Sequence, residues 1–88
     1  MQVVFLRRFS QDINKITQPK DRQALFDVIK LVKLATKLED VSGIKKLRGF
    51  NNAFRIRSGN YRIGVFIEGK VVQFARVAHR KNIYKIFP

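Results

Sequence analysis

The stretch AFRIRSGNYRIGVFIEGKVVQFARVAH, residues 53–79, decides the fold of this chain. Apolar and polar side chains alternate along much of it with a period of two, which is typical of β-strands. Gly59-Asn60 and Glu68-Gly69 interrupt the alternation and have the composition of two-residue hairpin turns. The stretch therefore predicts three consecutive strands of an antiparallel sheet.

The sequence before this stretch predicts one further strand and two helices. Residues 3–6 are β-branched, aromatic or aliphatic and indicate a strand, after which Ser10 can cap a short helix. Pro19 interrupts that helix, and Asp21 opens a longer amphipathic helix that we expect to end at Gly43. The predicted fold is α+β, in the order β-α-α-β-β-β, with an antiparallel sheet and two helices packed on one face. We expect a single domain over residues 1–88.

The turn at Gly59-Asn60 fixes which side chains share a face of the sheet. It pairs Arg57 with Arg62 and Arg55 with Gly64, and strict alternation then places His79 on the same face as these arginines. Gly64 either opens space for a bound backbone or marks a β-bulge. The opposite face is apolar, and we expect the helices to cover it: Phe54, Ile56, Tyr61, Ile63, Val65, Ile67, Val72 and Phe74.

The charge of the chain favours a polyanionic partner. Nineteen Lys and Arg residues face six Asp and Glu residues, for a net charge of +13, while 45% hydrophobic residues indicate a packed core. Such a charge attracts nucleic acid first and anionic membranes second. The absence of cysteine excludes disulfides, a thiol nucleophile and a cysteine-based zinc site, and the cytoplasm is the expected compartment. We expect no membrane span and no secretory signal.

The cationic face suits cleavage of RNA by its own 2′-hydroxyl. That reaction needs a proton acceptor, a proton donor and fixed positive charge near the phosphate. Arginine supplies the charge, because guanidinium binds phosphate through two donors and stays protonated. The proton acceptor is then either His79 or Tyr84. No paired carboxylates, metal-ligand cluster or glycine-rich phosphate loop is present, so we expect neither a metal nor a cofactor.

Three segments together resemble a known family. They are the Lys-Leu-x-Gly element ending at Gly49, the Arg-Ile-Arg-x-Gly-x-Tyr-Arg core ending at Arg62, and the His-Arg-Lys-x-Ile-Tyr segment ending at Tyr84. On these segments the chain resembles the RelE-like side of the RelE/ParE superfamily of toxin-antitoxin toxins. The resemblance implies a microbial-ribonuclease-like fold and a ribosome-dependent messenger-RNA endonuclease that cuts in the ribosomal decoding site. It also implies a cognate antitoxin, which we expect to be acidic.

The resemblance also implies the residues of the site. The positions of Arg55 and Arg57 are commonly lysine in such toxins, so the proton-acceptor role passes to Tyr84 or His79. Arg80 is the family-like partner of the leaving group, but strand alternation puts it on the face opposite His79, so it can join the site only if the strand bends or bulges. The expected catalytic residues are Arg57, Arg62, His79, Arg80 and Tyr84, and the expected RNA-binding residues are Arg55, Lys46, Arg48 and Lys81.

Two other functions fit the same charge and fold. A ParE-like toxin inhibits DNA gyrase and cleaves no RNA. A non-catalytic RNA-binding module would use the same cationic face, with Phe66 as a platform for base stacking.

Overall fold

A computed structural model describes residues 1–88 and confirms the α+β class. None of the helices has the length and apolar character needed to cross a lipid bilayer. A 3-10 turn over Leu38–Asp40 follows the second helix. The elements are β1 (Gln2–Phe5), α1 (Arg7–Asn14), α2 (Pro19–Leu34), β2 (Ile44–Lys46), β3 (Ala53–Ser58), β4 (Tyr61–Glu68), β5 (Val71–His79) and α3 (Ile83–Ile86).

The sheet has five strands in the order β1-β5-β4-β3-β2. The predicted hairpin register is confirmed, with Arg57 opposite Arg62 and Arg55 opposite Gly64. The sheet is mixed, however, because β1 pairs with β5 in parallel. A parallel neighbour needs a long connection, and the helices together with the remaining strands provide it. The short edge strand β2 and the short helix α3 were not predicted.

The apolar face of the sheet forms the main core. All eight side chains predicted for this face lie in or against that core, and Ile56, Ile63 and Phe74 are fully buried. Phe9 from α1 and Leu25, Ile29 and Val32 from α2 belong to the same cluster. The two helices therefore cover this face, as predicted.

The helix boundaries differ from the prediction. Ser10 lies inside α1, which begins at Arg7, and α2 begins at Pro19 rather than Asp21, because proline at a first helical position sacrifices no hydrogen bond. α2 also ends at Leu34, well before Gly43. The Asp40 carboxylate accepts hydrogen bonds from the backbone N–H groups of Thr36 and Lys37, both at 3.3 Å, and this local loop replaces further helical turns.

The Asp12 carboxylate on α1 accepts hydrogen bonds at the part of the β5 edge that β1 does not pair with. β1 pairs with β5 only over residues 71–74. Beyond them, Asp12 accepts hydrogen bonds from Arg76 Nε at 2.7 Å, from Arg76 Nη2 at 3.1 Å and from the backbone N–H of Val77 at 3.1 Å. Asp12 is buried, so these bonds satisfy both its charge and the open strand edge.

A β-bulge changes the facing of the last part of β5. Gly64 pairs with Arg76 and Val65 pairs with Phe74, so Ala75 has no partner in the ladder. One extra residue reverses the alternation that follows it. His79 therefore pairs with Tyr61 on the helix-covered side, and its predicted place among the arginines is wrong.

A second, smaller core covers part of the other face. Ala53, Ala75, Ile83 and Phe87 are buried together there. The ring of Phe87 lies directly on Gly64, where a Cβ atom would approach its Cδ2 to 2.5 Å and its Cδ1 to 2.7 Å. The predicted β-bulge at Gly64 is confirmed. The predicted open space for a bound backbone is absent, because the Phe87 ring occupies it.

Candidate active site

A cleft opens beside this second core, on the sheet face opposite α1 and α2. Its volume is about 440 Å³, within the range of ligand sites. No carboxylate lines it. Residues of β2, β3, β4 and α3 and the glycine before β2 form its walls: Gly43, Ile44, Lys45, Arg55, Arg57, Arg62 and Tyr84.

The strand register brings the arginines of the cleft together. Arg57 is exposed, whereas Arg55 and Arg62 are half-buried. Arg62 Nη1 donates to the carbonyl oxygens of Gly59 at 2.9 Å and Tyr61 at 2.8 Å, which holds its guanidinium in place. Burial first, and then the charges of its arginine neighbours, lower the pKa of Arg62. The cleft therefore concentrates positive charge without a counterion, an arrangement complementary to phosphate.

Tyr84 lies at the edge of this charge. The guanidinium carbon of Arg55 is 4.4 Å from the centre of the Tyr84 ring, and Arg55 Nε is buried without a hydrogen-bond partner. The phenol is 71% exposed. Interaction with the positively charged Arg55 guanidinium, which lies against the ring, lowers the pKa of Tyr84. This phenol can therefore accept a proton at a lower pH than an ordinary tyrosine.

The bulge that reverses the facing of His79 also removes the expected placement of Arg80 on the face opposite the arginines. The backbone N–H of Arg80 donates to the carbonyl of Asn60 at 2.8 Å, next to the β3–β4 turn. The charge of Arg80 is close enough to contribute to the lowered pKa of Arg62. Arg80 is therefore near the arginine cluster, although it does not line the cleft.

Comparison with known proteins identifies the family. No family model matches the sequence. The chain is 38% identical to "Toxin RelE3" of Methanocaldococcus jannaschii over 89 residues, which covers all of both chains. The chain belongs to the RelE family of toxins.

Solved structures agree with this assignment. The RelB-RelE antitoxin-toxin complex from Methanococcus jannaschii contains a chain with 36% identity and a TM-score of 0.79, covering 97% of this chain and 99% of that one. YafQ from E. coli has a TM-score of 0.75 at 14% identity, covering 94% and 97% of the two chains, and shows the shared fold alone. This protein is thus a RelE-family toxin of a toxin-antitoxin system.

His79 of this RelE-family toxin lies outside the cleft. Its ring meets Tyr61 edge-on, with the ring centres 6.0 Å apart. Its Nδ1 accepts the backbone N–H of Lys81 at 3.2 Å, which occupies one of the two ring nitrogens. Of the two candidate proton acceptors, only Tyr84 lines the cleft.

The cations proposed for RNA binding are dispersed around the toxin's cleft. Lys46 and Arg48 line an adjoining cleft, whereas Lys81 is exposed beyond β5 and lines neither. The sequence prediction missed Lys45, which pairs with Arg55 and lines both clefts. A strand of three residues is too short for a clear alternation, so the only signal was the Lys45-Lys46 pair itself.

No three His, Cys, Asp or Glu side chains of the toxin cluster in a way that could hold a metal ion.

Phe66 packs against Phe87, with ring centres 5.1 Å apart, and is half-buried. It is therefore not the free stacking platform that a non-catalytic RNA-binding module would use.

Proposed function

We propose that this toxin is a ribosome-dependent endoribonuclease that cleaves messenger RNA in the ribosomal A site and thereby stops translation. The observation that supports it is the convergence of Arg57, Arg62 and Tyr84 in one cleft that contains no carboxylate. A protein that only binds another protein needs no such combination of phosphate-binding groups and a phenol of lowered pKa.

In the proposed reaction the 2′-oxygen attacks the adjacent phosphorus. Tyr84, as the phenolate, accepts the 2′-hydroxyl proton, and the O2′–P bond forms while the P–O5′ bond breaks. Arg55, Arg57 and Arg62 stabilise the negative charge that grows on the phosphate oxygens. Arg80 balances the negative charge on the leaving 5′-oxygen, solvent water supplies the proton that this oxygen takes up, and Tyr84 returns its own proton to the solvent. The products are a 2′,3′-cyclic phosphate and a 5′-hydroxyl, and the reaction proceeds without a metal.

The positive charge also explains a dependence on partners. A net charge of +13 favours the crowded phosphates of the ribosome, so the message would be presented on a surface that the toxin already binds. The same charge favours an acidic antitoxin. RelB is the antitoxin in the solved complex of the M. jannaschii relative, and we propose an antitoxin of that kind for this toxin in the cytoplasm.

Primer extension on a translated message tests this function. The wild-type protein should produce in-frame cuts only when ribosomes translate the message. Arg57→Ala and Tyr84→Phe should abolish the cuts, while Lys30→Ala, an exposed cation on α2, should leave them unchanged.

Two outcomes would contradict the proposal. Arrest of growth with intact messages and inhibited DNA gyrase would indicate the ParE-like activity. Binding of RNA by the wild-type protein without any cut on ribosomes would indicate a non-catalytic module.

A further inference from the structure

A second cleft continues the first along the edge of the sheet. Its volume is about 760 Å³, and it shares Lys45 and Arg55 with the candidate active site. Arg48 and Phe50, from the loop between β2 and β3, form part of its wall. Because the two clefts share walls, one extended ligand can occupy both.

The loop presents an unpartnered aromatic ring. Phe50 is 47% exposed. The loop is held at its base, where the backbone N–H of Leu47 donates to the carbonyl of Ala53 at 2.9 Å and Leu47 packs against the second core. Gly49, at a φ of +84°, makes the turn that precedes Phe50. The ring is therefore displayed by a fixed turn.

The surroundings of Phe50 indicate what the ring would bind. Lys45, Lys46 and Arg48 line the same cleft, and no acidic residue does. Cations that follow a backbone, together with an aromatic ring on which a base stacks, are the usual elements of single-stranded nucleic acid sites. An apolar peptide would leave these charges without partners.

We propose that this second cleft binds a nucleotide of the message next to the one that is cut, with its base stacked on Phe50 and its phosphate held by Arg48 and Lys46. The inference rests on the proposed function in one respect, namely that the same RNA strand occupies the first cleft. It adds a binding subsite and its ligand, and it gives Phe50 a role in affinity rather than in chemistry.

The test compares short RNAs of two lengths by fluorescence anisotropy. Trinucleotides and pentanucleotides with 2′-O-methyl groups bind without being cut. Phe50→Ala removes the stacking ring, and Phe50→Tyr preserves it. Phe26→Ala is the matched control, since Phe26 is 45% exposed on α2. Circular dichroism of each variant shows that it is folded.

The wild-type protein should bind the pentanucleotide more tightly than the trinucleotide. Phe50→Ala should weaken pentanucleotide binding by about 5-fold to 150-fold, the range that stacking of one base provides, and leave trinucleotide binding unchanged. Phe50→Tyr and Phe26→Ala should behave as wild type. Equal loss at both lengths, or no loss at either, would overturn the proposal. So would a Phe50→Ala variant that loses affinity only for an acidic antitoxin peptide.

Failure of this proposal can be distinguished from failure of the proposed function. If Phe50→Ala removes the length-dependent affinity but the wild-type protein cuts no message on ribosomes, the subsite stands and the nuclease assignment fails. If the protein cuts messages but binds both lengths equally, the nuclease assignment stands and the subsite fails.

Discussion

A methyl group added at Gly64 should displace the Phe87 ring and, with it, the neighbouring α3 segment that carries Tyr84. The new carbon would lie 2.5 and 2.7 Å from Cδ2 and Cδ1 of the ring, about 1 Å closer than carbon atoms normally pack. The ring is 5% exposed and packs against the ring of Phe66, with the ring centres 5.1 Å apart. Gly64→Ala should therefore destabilise the protein by about 1 to 3 kcal/mol, as overpacked cores do. For a chain of this size that is a fall in Tm of roughly 4 °C or more.

The double-mutant cycle with Phe87→Ala identifies the cause. Phe87→Ala alone should cost about 3 kcal/mol. In the double variant the clash is absent, so its stability should match that of Phe87→Ala or exceed it by about 0.5 kcal/mol, since alanine suits a strand better than glycine. Urea unfolding of the four proteins measures the coupling. Additive losses, within about 0.5 kcal/mol, would refute the argument that the ring and the glycine are matched.

The same substitution should lower activity more than its effect on stability explains. Phe87 anchors the segment that holds Tyr84, the proposed base, and a shift of about 1 Å in such a group can cost about 100-fold in rate. Gly64→Ala assayed well below its Tm should show this loss in kcat.

Three further predictions concern charge. If the Tyr84 phenolate is the base, as proposed, the cleavage rate should rise with pH through an inflection below the ordinary tyrosine value of about 10, because Arg55 lowers the pKa of Tyr84. Arg55→Gln should move that inflection to higher pH, which a pH-rate profile measures, and an unmoved inflection would exclude the pairing. Asp12→Ala should cost about 3 kcal/mol in thermal unfolding, because it leaves Arg76 and the N–H of Val77 without their acceptor; a loss below about 1 kcal/mol would contradict this. RNA affinity should fall steeply with salt, and a flat salt dependence would show that phosphate contacts are few.

Much of the site could be predicted because a tight turn and the alternation of side chains along a strand depend only on residues close in sequence. The Gly59-Asn60 turn fixed the pairing of Arg57 with Arg62, and the apolar alternation fixed the face that α1 and α2 cover. These features depend on neighbours within a hairpin. The sequence alone was therefore sufficient to bring three arginines of the cleft together.

The failures have a common physical origin in contacts between distant segments. The bulge at Ala75 reversed the facing of His79, and its counterpart Gly64 packs against Phe87 from the end of the chain. α3 has four residues and β2 has three, so neither shows a periodicity of its own. Both exist because the sheet provides a surface or an edge for them. Lys45 was missed for the same reason.

The central claim is that the cleft cleaves RNA by means of the RNA's own 2′-hydroxyl, and the chemistry of the cut ends tests it most directly. On programmed ribosomes, the upstream fragment should end in a 2′,3′-cyclic phosphate, and a message with a single 2′-deoxynucleotide at the cut position should stay intact. Cleavage of that deoxy-substituted message at the same position, or an upstream fragment that ends in a 3′-hydroxyl, would contradict the mechanism.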